Sequence, residues 1–86
     1  MLEHVEVVLS KEAQTEFDDL PLSMKKRVLD VLLRLENWPN VSGAKRLTGD
    51  RKGWARVRTG DWRVIFRPEH DQIVVERIAH RREVYE

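Results

Sequence analysis

The stretch "IAHRREVYE", Ile78 to Glu86, places one histidine, two arginines and a tyrosine near the end of the chain. These side chains move protons and bind anions. Imidazole titrates near neutral pH, phenol titrates near about 10, and guanidinium stays charged and forks onto carboxylate or phosphate. Two readings of this run are open. At a chain end, where change is tolerated, it would be a solvated tail. Held at the end of a strand, it would be a set of acid–base and anion-binding groups. A second basic stretch stands upstream in "WARVRTGDWRVIFRP", with arginines at 56, 58, 63 and 67.

The net charge of +1 conceals an imbalance. Residues 1–42 carry five Lys or Arg against eight Asp or Glu, whereas residues 43–86 carry eleven against seven, nine of the eleven being arginine. Arginine's planar fork suits bidentate contact with phosphate better than the point charge of lysine. The alternative is that these arginines solvate one face of a small sheet and pair with nearby acids. His4 and His70 have no partners at ligand spacing and read as surface residues.

The elements that must position these groups are legible from periodicity. "HVEVVLS" alternates as a first strand, and Ser10 is a helix N-cap with Glu12 in the first turn. A short helix follows over residues 11–20, with Ala13, Phe17 and Leu20 at helical spacing, and Pro21 separates it from the next. The second helix, about Leu22 to Trp38, carries Val28, Leu29, Leu32, Leu35 and Trp38 on an apolar stripe widened by Val31 and Leu33. Pro39 stops it, residues 40–43 form a loop, and from Gly53 the period becomes two.

Two strands then flank a hairpin turn at Thr59–Gly60–Asp61, and "QIVVERIAH" makes a third beyond Pro68 to Asp71. With no crossover helix between them, these three strands form an antiparallel meander. The expected fold is α+β in two layers, an N-terminal strand, a two-helix hairpin and a three-stranded meander (β-α-α-β-β-β), as one domain over residues 1–86. Strand alternation turns Ala55, Val57, Trp62, Val64 and Phe66 toward the helices and gathers Arg56, Arg58, Arg63 and Arg67 on the open face. Like charges opposite one another destabilise a sheet, so this grouping points to an anionic ligand.

The chain has no cysteine, which fits a reducing cytoplasm and excludes disulfides and cysteine–zinc sites. Its start lacks the basic-then-apolar form of a signal peptide, and no apolar run reaches the ~20 residues of a membrane span.

The pattern resembles the RelE/ParE superfamily of bacterial toxins over nearly the whole chain. The resembling features are Arg46-Leu47-Thr48-Gly49, the Trp54/Arg56/Arg58 strand, Gly60 to Arg63 at the turn, and the closing His80, Arg81 and Tyr85. The strand-then-two-helices first half matches as well. The resemblance implies a RelE-like fold and a ribosome-dependent mRNA endonuclease, the toxin half of a toxin–antitoxin pair. Such enzymes use no metal or other cofactor; the RNA 2′-hydroxyl attacks the adjacent phosphate and leaves a cyclic phosphate.

That chemistry asks for a base, cations for the phosphorane, and an acid for the departing 5′-oxygen. By the resemblance, Arg63 clamps the scissile phosphate, and Arg56 and Arg58 add charge stabilisation. Arg81 is the general acid or last phosphate ligand, with His80 the alternative acid. Tyr85 is the base or a base-stacking residue. Lys45, Arg46, Arg51, Lys52, Arg58 and Arg67 are candidates for holding RNA backbone.

Each residue also has a structural reading: His80 as solvated or structural, Tyr85 packing on the sheet edge, Lys45 to Lys52 as a solvated loop, Trp54 and Trp62 as sheet packing, and Glu83 pairing with an arginine. The implied partners are a small acidic cognate antitoxin, the ribosome and mRNA, with no membrane. Two other functions stay open: a ParE-like toxin that poisons gyrase without cutting RNA, and a decayed module that only binds its antitoxin.

Overall fold

The structure, a computed structural model, describes residues 4–84. Its elements run β1 (Glu6–Leu9), α1 (Lys11–Asp18), α2 (Leu22–Leu35), β2 (Lys45–Arg46), β3 (Ala55–Thr59), β4 (Trp62–Pro68) and β5 (Gln72–His80). Short 3₁₀ turns cover Gly49–Arg51 and Arg81–Glu83. The expected order is present, with one addition: the two-residue strand β2, too short to show a period. The five strands form one sheet in the order β1-β5-β4-β3-β2.

Ser10 caps α1 as expected, its Oγ accepting from Ala13 N at 3.1 Å. The same hydroxyl donates to Glu76 O at 3.1 Å, so the cap also ties the start of α1 to β5. β1 pairs parallel with β5 from Glu6↔Gln72 to Leu9↔Val75, and there it stops. Beyond this point the edge of β5 needs another acceptor, because a buried N–H left unmatched costs about 1–3 kcal/mol. Glu16 of α1 supplies it: one carboxylate oxygen accepts from Ile78 N at 2.8 Å, and the other accepts from Arg77 Nε at 2.9 Å and from its terminal nitrogen at 2.7 Å. This carboxylate, with Glu12 and Glu83 nearby, raises the Arg77 pKa above its ordinary value.

α2 ends at Leu35, three residues before the expected Trp38. Trp38 instead sits in the following turns, its ring edge-on to Phe66 at 5.3 Å. Val28, Val31, Leu32 and Leu35 are buried, as the stripe requires. Leu29 and Leu33 are not; they are 47% and 54% exposed and face outward with Leu22. The helix has leucine on two sides, and periodicity marks which positions are apolar without saying which side meets the sheet.

The two helices cover one face of the sheet. The core there joins Ala13, Leu20 and the buried α2 residues to Ala55, Val57, Val64, Phe66, Ile73, Val75 and Ile78. Strict alternation along β5 would carry Ile73 and Val75 inward and Arg77 with them. A bulge at Glu76 prevents this: Phe66 pairs with Val75 but Ile65 pairs with Arg77, so Ile78 returns to the core.

A second, smaller apolar cluster lies on the other face, where Leu47, Ile65, Ala79 and Val84 are buried with Trp54 packed against them. The face expected to be open is therefore partly roofed by the chain around Leu47 and by Val84.

Candidate functional site, a basic face of the sheet

The hairpin register builds the site. Arg58 stands directly opposite Arg63, and one rung along, Arg56 stands opposite Lys45 of β2. Directly opposed residues share a face, so four cations occupy two adjacent rungs on the side away from the helices. The turn between β3 and β4 is two residues long, and Gly60 opens it at φ +61, the conformation that a Gly-first hairpin loop demands. Arg63 folds its guanidinium back over this turn, donating to Trp62 O at 3.3 Å and Gly60 O at 3.5 Å.

Arg58 is exposed and Arg63 half-buried, but Arg56 departs from expectation. Instead of emerging on an open face it is 7% exposed, and it donates to Gly43 O at 3.5 Å. The cause is β2, which pairs along β3 and draws the 43–47 segment across the arginine. Arg56 thus contributes positive potential from beneath this face.

The remaining expected cations divide. Lys45 joins the arginines, whereas Arg46, next in the strand, projects to the other face and lies over the Trp38 ring at 5.2 Å. Arg51 lies over Trp54 at 5.9 Å, and Lys52 is exposed at the end of that 3₁₀ turn. Arg67 is engaged by two acids, donating through Nε to Glu76 at 3.1 Å and through a terminal nitrogen to Glu69. These hydrogen bonds, that with Glu69 foremost, push the Arg67 pKa up.

At the far end of the site β5 runs into the Arg81–Glu83 turn. Arg81 is exposed; its amide donates to Asp61 O at 2.7 Å, and its Nε lies 3.7 Å from the Asp61 carboxylate. The terminal segment is thereby fastened to the hairpin that presents Arg63. His80 pairs with Trp62, and the two rings meet edge-on at 5.4 Å. Trp62 packs against the helix-side core, so the imidazole lies on that side of the sheet and not with Arg58 and Arg63. The expectation that His80 adds a titratable group to the arginine face is corrected by this placement. Tyr85, the expected base, lies outside the described residues; its neighbour Val84 is buried with Ile65 and Ala79 on the arginine face. Among the described residues no cluster of His, Asp and Glu is arranged to hold a metal ion.

Three residues escaped sequence reading. Glu16 carried a signal, an acid beside the apolar stripe of a short helix in an arginine-rich chain, but its partner is 61 residues away. Asp61 was read as a turn residue and nothing more. Glu83, read as an arginine's partner, also closes a turn: its carboxylate accepts from His80 N at 3.2 Å, and His80 Nδ1 accepts from Arg82 N at 3.2 Å. His-x-x-Glu has the spacing of a capping box, hidden because the N-cap is not one of the usual residues.

The described helices include none long and apolar enough to cross a membrane. Residues 7–85 match the family model described as the ParE toxin of the type II toxin–antitoxin system, parDE. Among curated protein sequences none matches this chain. Solved structures with the same fold include the RelBE2 toxin–antitoxin complex from Mycobacterium tuberculosis, at 22% identity, TM-score 0.80 and coverage of 93% of this chain and 94% of that one. The archaeal RelE–RelB complex from Pyrococcus horikoshii is similar at 24% identity and TM-score 0.75, covering 94% and 99%. A YoeB/ParE toxin from Agrobacterium tumefaciens follows at 17% identity and TM-score 0.75, covering 87% and 96%. At such identities the likeness is one of fold.

Proposed function

Because the chain belongs to the ParE toxin family of type II toxin–antitoxin systems, we propose that it acts as a metal-independent endoribonuclease that cuts mRNA on the ribosome. The observation that carries this reading is the opposed pair Arg58 and Arg63 on the basic face, with Arg81 fastened to the turn that joins their strands. The 2′-hydroxyl of one nucleotide attacks the adjacent phosphate, its proton passing to a base, for which Tyr85 is the candidate. Arg63 and Arg58 take the non-bridging oxygens as negative charge accumulates on the phosphorane, and Arg56 adds potential from below. Arg81 meets the departing 5′-oxygen as proton donor or as cation. The products are a 2′,3′-cyclic phosphate and a 5′-hydroxyl. A donor aimed at developing charge contributes about 2.7–4 kcal/mol in other enzymes, enough for two arginines to dominate the rate.

Lys45, Lys52 and Arg51 would hold flanking RNA. The partner that restrains such a toxin is a small acidic antitoxin, since the basic face is neutralised by an acidic segment laid across it. Its action would then be cytoplasmic, where translating ribosomes are.

A second reading, a ParE-like toxin that poisons gyrase, is favoured by one placement: among the described residues, His80 is turned away from the arginine face. Primer extension on a translated message separates the two. The ribonuclease reading expects wild-type protein to cut ribosome-bound message and Arg81→Ala and Tyr85→Phe to cut far less. Intact message at toxic protein levels, with gyrase-trapped cleaved DNA, overturns it in favour of the second.

A further inference from the structure

We propose that His80 is a positioning residue, the N-cap that sets the path of residues 81–84 along the hairpin that presents Arg63, and that it takes no part in proton transfer. The inference rests on the ribonuclease reading of that face.

Its Nδ1 accepts from Arg82 N at 3.2 Å and from Arg82 Nε at 3.3 Å. Both groups are obligate donors, so Nδ1 serves as the acceptor of this cap. Glu83 completes the box by accepting from His80 N at 3.2 Å. The backbone at His80, φ −69 and ψ 147, has the extended shape of an N-cap residue. The Trp62 edge fixes the ring plane, and Trp62 is the residue before Arg63.

The consequences run along the chain. The cap closes the Arg81–Glu83 turn, the Arg81 amide locks to Asp61 O, and Val84 drops into the cluster with Leu47, Ile65 and Ala79. Between His80 and Val84 the side chains therefore pass from the helix side of the sheet to the other side. Without the cap, Arg81 and Val84 would be held against the hairpin over a range of angles. A misplacement of about 1 Å can cost about 10²-fold in rate.

The test compares wild type with His80→Ala and His80→Asn, because asparagine is a strong N-cap but cannot transfer protons near neutral pH. Three readouts are taken: message cleavage, growth arrest on expression, and hydrogen exchange at the Arg82 amide. His80→Ala is expected to lower cleavage about 10²-fold and to speed exchange at Arg82. His80→Asn is expected to restore both toward wild type. If His80→Asn keeps Arg82 protected yet cleaves as poorly as His80→Ala, the imidazole is a proton carrier and the proposal is overturned. Wild-type cleavage by His80→Ala with an unprotected Arg82 overturns it equally. Should wild type arrest growth without cutting message, the ribonuclease reading fails, and the same rescue pattern in growth arrest still decides for or against His80 as the cap.

Discussion

On the helix side of the sheet Val57, Val64, Phe66, Ile73, Val75 and Ile78 are each exposed by 2% or less. On the other side the buried apolar residues among those described are Leu47, Ile65, Ala79 and Val84, and the rungs beside them hold Arg58 against Arg63 and Lys45 against the buried Arg56. A fully buried aliphatic or aromatic side chain contributes about 1.5–3 kcal/mol, whereas an opposed pair of like charges costs about 0.2–1 kcal/mol. The first face can thus carry the penalty of the second many times over. Stability and charge are held on separate sides of one sheet, and the strand alternation that builds one face builds the other.

The largest effect should come from the basic face and leave the other intact. Arg63→Ala is expected to reduce message cleavage by about 10²–10³-fold while changing the thermal midpoint little, since the main apolar core lies on the other face. A single-turnover cleavage assay beside a melting curve checks both; a large fall in the midpoint would mean that the two faces are not separable. The next effect belongs to the edge that joins α1 to β5. Glu16→Ala strips Ile78 N and the half-buried Arg77 of their acceptor, and urea titration should show a loss of about 2–3 kcal/mol. Glu16→Gln, which keeps an acceptor, should lose less.

The smallest effect concerns Arg67, which belongs to the basic strand but is engaged by Glu69 and Glu76. Gln72 and then Arg67 hydrogen-bond the Glu69 carboxyl and hold it below its ordinary 4.5. A depressed carboxyl stabilises the fold above its unfolded value, and that contribution is lost as pH falls below 4.5 through the folded value. Glu69→Gln should therefore lower stability slightly at neutral pH, flatten the acid side of the profile by the same small amount, and converge with wild type at the lowest pH. Thermal midpoints measured downward from pH 5 test the sign; a steeper acid side would reverse it.

Much of the architecture could be read in advance, because local rules set it. Ser10 declares a cap, Gly60 a two-residue turn, and the alternation of Ala55 to Phe66 assigns a face to every arginine between them. The placement of two arginines was legible to the same depth: Arg58 and Arg63 share a face because their strands are adjacent and the turn fixes the register. Arg56 followed the same alternation, but its burial depends on β2, a strand with no period to detect. His80 lies on the helix side for a related reason, since alternation along β5 reverses past the bulge at Glu76.

What the sequence determined by itself is the series of elements, the helix-facing residues of the hairpin and the concentration of arginine in the second half. Only the tertiary structure decided that β1 lies beside β5, that Glu16 takes over that edge where β1 stops, and that the Glu76 bulge returns Ile78 to the core and puts His80 beside Trp62. The difference is one of range. Caps, turns and alternation arise from steric and hydrogen-bonding rules within a few residues. A bulge or an edge clamp arises because an unmatched N–H or a misfaced isoleucine must be satisfied by whatever the rest of the chain brings near.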